Sequence, residues 1–218
     1  MISPDLVPLL WQGLEETAYM VGASAALAAV GGLLVGVLLV LTDRGGLLAA
    51  KPVNALLGLV VNVGRSLPFI ILLMVIIPFT RTVVGTTIGT TAAIVPLTVS
   101  AIPFYARIVE TALREVDRDV ISAARAMGAS RWQIVVKVLL REARPGLVAG
   151  LTITIVALVG YSAMAGVVGG GGLGDLALRY GYQRYEDDVM IATVVLLVIF
   201  VQLIQMLGDL VARRLSHR

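Results

Sequence analysis

Residues 117–143 read DRDVISAARAMGASRWQIVVKVLLREA, and the fold turns on what this stretch can do. Val120, Ala123, Ala124 and Met127 recur at i, i+3, i+4 and i+7, one face of a helix. Asp117 or Asp119 suits the start of that helix, and Gly128 suits the left-handed residue that ends it. Eight residues rising 1.5 Å each reach only about 12 Å, too short to cross a bilayer. Ser130 and Gln133 then have capping-box spacing, and Trp132, Val135, Val136 and Leu139 continue an apolar face. The expectation is two short helices joined at a glycine elbow, a knob standing on a membrane surface. Its small residues and flanking arginines suit either anionic headgroups or a protein partner.

Everything around the knob is apolar. The chain has 218 residues, 58% hydrophobic and 14% charged, with a mean hydropathy of +0.95. A soluble core of this size needs far less apolar surface, so the excess faces lipid. Five stretches have the roughly 20 apolar residues of a transmembrane helix, at about 14–41, 56–79, 86–109, 146–168 and 189–211. Little remains for any other domain: a segment 1–13 outside, a membrane domain 14–211 with a polar loop at about 110–145, and a tail 212–218. The class is all-α and integral to the membrane. No cysteine is present, and the one histidine, His217, sits in the tail, which excludes thiolate or imidazole metal sites and cysteine nucleophiles.

Charge sets the expected orientation. With residues 42–55 inside, thirteen Lys and Arg fall on the inner side and three, Arg81, Arg179 and Arg184, on the outer side. Cytoplasmic loops concentrate basic residues, so the N-terminus is expected outside and the C-terminus inside. The opening MISPDLVPLLWQG carries Asp5 and no basic residue, unlike a cleaved secretory signal. Asp187 and Asp188 open the last span and Arg213 and Arg214 close it, as the helix dipole favours. Tyr180, Tyr182 and Tyr185 cluster where an outer aromatic belt would lie.

The knob also carries a family likeness. SAARAMGASRWQIVVKVLL resembles the cytoplasmic EAA loop of ABC importer permeases, in which Glu-Ala-Ala is followed by three residues, a glycine, nine residues and I-x-L-P. Ala123, Ala124 and Gly128 match; Val138 stands for the isoleucine and Leu140 matches the leucine. Ser122 occupies the glutamate position and Arg141 the proline position, so those two contacts depart from the pattern. Residues 64–110 (GRSLPFIILLMVIIPFTRTVVGTTIGTTAAIVPLTVSAIPFYARIVE) and 158–185 (LVGYSAMAGVVGGGGLGDLALRYGYQRY) resemble the methionine-uptake permeases, and the likeness covers nearly the whole chain.

The resemblance implies a type I ABC importer permease fold with five transmembrane helices per subunit, working by alternating access in the cell membrane. It implies a homodimer, two cytoplasmic ABC ATPase subunits, and a methionine-binding protein or lipoprotein outside. The loop would be the coupling helix, with Ser122, Ala123, Ala124, Arg125, Met127 and Gly128 meeting the ATPase. The solute would be methionine, with the L and D forms both open and a related small solute as the alternative. ATP and Mg would be held by the ATPase, and neither cofactor nor nucleic acid by this chain.

Several features speak independently of that likeness. No G-x-x-x-x-G-K-[ST] occurs, so ATP hydrolysis would need another chain, and no enzyme activity is expected here. The run GGGGLG, residues 169–174, satisfies G-x-G-x-x-G formally but follows a membrane helix, so it is expected to form a turn or a tight packing point. Gly32 and Gly36 have the spacing of close helix contact, within or between subunits. Pro68, Pro96 and Pro103 predict kinks in spans two and three. Candidate path residues are Arg65, Ser66, Pro68, Tyr161, Ser162 and Met164; Arg65 is either a functional cation at depth or one that snorkels to the surface. An ion-gradient transporter is the rival class, but Glu110, Asp175 and Asp209 all fall near span ends rather than at the midplane. A membrane-embedded enzyme would need catalytic groups that the spans lack.

Overall fold

A computed structural model describes residues 6–216. The expectations that fall on Asp5, His217 and Arg218 lie outside the described residues. Helix α1 (Leu6–Thr42) is the first span and begins eight residues before its expected start, taking in most of the segment 1–13. At 1.5 Å per residue it is about 55 Å long, well beyond a bilayer core of about 30 Å, so one end extends past the hydrocarbon. The other long helices are α5 (Thr90–Arg114), α9 (Arg144–Val167) and α11 (Asp187–Leu215). Each is long and apolar enough to cross a membrane.

The second span corrects the expectation of one helix over 56–79. Helix α2 (Lys51–Ser66) stops, and α3 (Phe69–Val75) leaves it at 106°. The cause is Pro68. It pushes Leu67 into extended backbone, φ −79° and ψ 125°, and has no N–H to continue the ladder. Helix α4 (Ile77–Val84) follows with Pro78 in its first turn and ends on Gly85. Counting the bent pair as one span restores five. Pro96 and Pro103 behave differently, since α5 runs through both as one helix.

Glycines decide how closely the spans approach. A Cβ on Gly36 would lie 2.6 Å from Val109, and one on Gly32 would lie 2.8 Å from the Tyr105 ring. The spacing seen in α1 therefore serves contact with α5 inside one chain. Gly150 does the same for α9, where a Cβ would come within 2.3 Å of Ile108. Around these contacts Met20, Leu97 and Leu158 are fully buried in the core of α1, α5 and α9. Helix α11 lies on the periphery with Val189 and Thr193 as its buried residues, leaving Val194, Val198 and Leu207 exposed toward lipid or a partner.

At the far end of α9 the glycine run turns the chain back. Gly169, Gly171 and Gly172 all have φ near +80°, the left-handed region that side chains avoid. The run feeds α10 (Gly172–Leu176) and a π-helical turn over Ala177–Tyr182. Glu16 and Thr17 of α1 accept the backbone N–H groups of Gly172 and Leu173 at 2.7 and 2.9 Å. Among the described residues no strand precedes the run and a membrane helix does, so its glycines act as a packing point and not as a dinucleotide cradle.

Candidate coupling surface and solute path

The knob forms from its own capping groups. Helix α6 (Arg118–Ala126) starts on Asp117, whose carboxylate accepts the Asp119 N–H at 2.8 Å. It ends where Gly128, φ +80°, lets Gly128 and Ala129 donate N–H groups back to the Arg125 and Ala124 carbonyls. Ser130 and Gln133 complete a reciprocal capping box for α7 (Arg131–Gln133). A π-helical turn over Ile134–Leu139 follows, then α8 (Leu140–Glu142).

Two expected faces need correction. On α6 the inward stripe is Ile121 and Ala124, with Ala129 after the elbow; Val120 and Ala123 face away and Met127 is 82% exposed. Spacing alone cannot say which of two overlapping apolar stripes meets the core, and the space beneath is already filled by Ile134, Val135 and Leu139. After the elbow Trp132 is 74% exposed and Val136 is exposed as well. Val135 and Leu139 are buried as expected, and Ile134 joins them, five residues from Leu139 as the π-helical turn allows. Ser122 and Arg125 lie at the surface, as does Gly128, around which an added Cβ would meet nothing within 4 Å. The result is an outward surface of Met127, Trp132 and small residues flanked by Arg118, Arg125 and Arg131.

At the base of the knob lies a polar clasp that sequence reading misses. Glu110, 5% exposed, forms ion pairs with Arg107 and with Arg114, the latter at 2.7 Å. Arg107 also donates to the Asn62 side-chain oxygen on α2, and Arg114 reaches Asp43 just beyond α1 at 2.9 Å. One buried carboxylate thus ties α1, α2 and α5 together where the knob begins. A signal is present in the spacing R-x-x-E-x-x-x-R over 107–114, which puts all three on one helix face.

The six path residues fall into two groups. Arg65 and Ser66 end α2 and are exposed, as is Pro68 at the break. Phe69, the next residue, stacks on Tyr161 of α9 with centroids 4.8 Å apart and planes within 8°. The break and the middle of α9 therefore meet, and Met164 stands exposed one turn further on. Ser162 differs: it is buried and donates its hydroxyl to the Val159 carbonyl at 2.7 Å, so within this chain it faces helix packing. The pocket among α3, α4, α5 and α9, beside the Phe69–Tyr161 stack, measures about 20 Å³, the size of a single water and far below an amino acid. A solute of that size would have to run along an outer face of the chain.

The chain matches the family described as "Binding-protein-dependent transport system inner membrane component" over residues 32–218. It is 53% identical over 210 residues to a probable D-methionine transport system permease protein of Vibrio cholerae, covering 96% of this chain and 93% of that one. It is 46% identical over 209 residues to a methionine import system permease protein of Bacillus subtilis, covering 96% and 94%. A solved structure of the MetNI methionine ABC transporter in an inward-facing conformation superposes with a TM-score of 0.97 at 52% identity, over 99% of this chain and 100% of that one. An amino acid ABC transporter at 20% identity, TM-score 0.79 over 95% and 94% of the two chains, shares the fold. With its apolar spans, broken second helix and elbowed polar knob, this multi-pass membrane chain belongs to the family of binding-protein-dependent transport system inner membrane components.

Proposed function

We propose that the chain is the transmembrane subunit of an ATP-driven importer that moves methionine into the cytoplasm by alternating access. The observation that carries this reading is the knob: exposed Met127 and Trp132, with arginines beside them, on a fold that matches a methionine ABC transporter over its full length. Two copies form the path between them, because the space among α3, α4, α5 and α9 of one copy is too small for an amino acid. Two cytoplasmic ATPase subunits hold ATP and Mg and grip one knob each, through Ser122, Ala123, Arg125, Met127 and Gly128. Buried Ala124 anchors α6 to the subunit beneath it. A binding protein or lipoprotein delivers the solute from outside. The knob and the C-terminus face the cytoplasm and the N-terminus faces out, in keeping with the thirteen-to-three asymmetry of basic residues.

The knob and the spans are mechanically continuous. Force on α6 passes through Ile121 and Ala124 into the cluster of Leu113, Ile134 and Leu139, and from there into α5. The Glu110 clasp carries it to α1 and α2, and the Phe69–Tyr161 stack relates the far side of the break to α9. An apolar, weakly polar face suits a thioether side chain that must pass without being held. Exposed Met164 and half-buried Tyr161 have that character.

The test is Gly128→Trp in the full complex. Uptake of radiolabelled methionine and stimulation of ATP hydrolysis are expected to be lost while permease, ATPase and dimer still co-purify. Normal uptake by that variant removes the docking role. Uptake that survives ATP depletion and collapses with a protonophore overturns the ATP-driven reading altogether.

A further inference from the structure

The cytoplasmic ends of α1 and α5 and the flank of α6 leave a crevice of about 450 Å³, which borders the docking surface at Ser122 and Arg125. Four guanidinium groups line it: Arg44 after α1, Arg114 at the end of α5, and Arg118 and Arg125 on α6. Asp43 is the one carboxylate in the lining, and it is already paired with Arg114 at 2.9 Å. Among the described residues, Arg44, Arg118 and Arg125 make no side-chain hydrogen bond or ion pair. Three unpaired cations facing one space repel each other, and an anion between them relieves that repulsion.

The floor of the crevice is of the opposite character. Val40 and Leu113, close to the ends of α1 and α5, and Ile121 of α6 make it up. Leu48, on the neighbouring loop, is 49% exposed, as suits a residue at the lipid boundary. A free anion would gain the arginines but nothing from the apolar floor. A molecule with a phosphodiester at one end and hydrocarbon at the other satisfies both, and the volume lies within the range of pockets that hold drug-sized ligands. Basic pockets between membrane helices on the cytoplasmic side are the kind of site that holds anionic headgroups.

We propose that this crevice is a binding site for the headgroup of an anionic phospholipid of the inner leaflet, held by Arg44, Arg118 and Arg125 beside the Asp43–Arg114 pair. The proposal rests on the cytoplasmic placement of the knob given above. Its consequence is mechanical. A headgroup held by Arg44 on one wall and Arg118 and Arg125 on the other braces α6 against α1, so the lipid becomes part of the path by which the knob moves the spans.

The test uses the purified permease–ATPase complex and native mass spectrometry, with short-chain phosphatidylglycerol, phosphatidylcholine and inorganic phosphate as separate probes. The wild-type complex is expected to retain phosphatidylglycerol in preference to phosphatidylcholine. Arg44→Gln with Arg118→Gln is expected to reduce retention on the order of 30-fold, and either change alone about fivefold, at about 1 kcal/mol per basic residue. The single variants carry the test if the double one does not assemble. Arg213→Gln with Arg214→Gln, at the end of α11, removes two cations elsewhere and should leave retention unchanged. Equal retention of the two lipids overturns the proposal, as does full retention by Arg44→Gln and Arg118→Gln or an equal loss in the α11 control. Displacement by millimolar inorganic phosphate makes the site one for a free anion and overturns the lipid. Sidedness is read independently by labelling a cysteine at Ala49 in whole cells. Labelling from outside removes the orientation, and retention in detergent then still stands or falls on its own.

Discussion

Two glycine-marked turns, one at each end of the molecule, do opposite jobs. In the run at 169–174, a Cβ on Gly174 would sit 2.4 Å from the Ala163 backbone, and one on Gly171 would sit 2.7 Å from the Glu16 carboxylate. At the elbow of the knob, a Cβ on Gly128 meets nothing. The first turn is glycine both because Gly169, Gly171 and Gly172 turn left-handed and because another part of the chain occupies the space. The second is glycine because the backbone turns left-handed, φ +80°, and the space beside it is open. One end is sealed against its own helices, and the other keeps a surface free for something else. That contrast sets a fitted end against an open one, which is what the proposed coupling from one side asks for.

The contrast is broken most severely by filling the sealed end. Gly174→Val puts a branched side chain into backbone that cannot retreat, because Gly172 and Leu173 are bonded to Glu16 and Thr17. The cost is expected to reach or exceed about 3 kcal/mol, the upper end for overpacking. No monodisperse peak should survive detergent extraction. A well-folded variant would mean that the outer turn is looser than its contacts imply.

The clasp at Glu110 comes next. Glu110→Gln keeps the shape and removes the charge that two arginines share. Breaking a fully buried pair costs roughly 3–5 kcal/mol, but Arg107 and Arg114 are 28% and 51% exposed, and water screens what is left. We expect a loss of about 1–2 kcal/mol in thermal stability, with uptake falling further than ATP hydrolysis because α1 and α2 no longer follow α5. Parallel loss of both activities would assign Glu110 to folding alone.

The two ends also differ in how much of them is legible in the sequence. The elbow is legible because its signals are local: Asp117, Gly128, Ser130 and Gln133 act within a few residues of themselves, and all four cap as expected. The spans are legible as lengths of apolar sequence. The 106° break at Leu67–Pro68 is only half legible. A proline announces a kink, but whether the helix bends or stops depends on what receives the far side, here the stack of Phe69 on Tyr161. Pro103 illustrates the point, since it sits buried inside an unbroken α5. Glu110, Asn62 and Asp43 come from three elements and meet only in space, so no window of sequence contains the clasp. The π-helical turn over Ile134–Leu139 is illegible for a different reason: the amphipathic count assumes the periodicity that the turn abandons.

The elbow itself gives the smaller effects. Gly128→Ala adds no clash, so its cost is the left-handed backbone alone, about 1 kcal/mol, while Gly128→Asn should cost less because asparagine tolerates that region. Uptake by the two variants should rank in the same order, asparagine above alanine. An equal and complete loss in both would mean that a partner occupies the open space against the glycine itself, which sharpens the docking reading.

Smallest of all is Ser130→Ala. The Ser130 hydroxyl accepts the Gln133 N–H at 3.3 Å, a long bond, while the Gln133 side-chain oxygen accepts a firmer one from the Ser130 N–H at 2.8 Å. Removing the hydroxyl leaves the second bond intact, so the loss is expected near the low end for caps, about 0.5 kcal/mol. Hydrogen exchange should quicken at Gln133 and Ile134 and stay unchanged at Gly172 and Leu173, whose N–H groups are held by α1. The sealed end borrows its hydrogen bonds from a distant helix, and the docking end supplies its own. If exchange rose at both ends together, the two turns would belong to one cooperative unit, and a free surface at the knob would no longer follow from its independence.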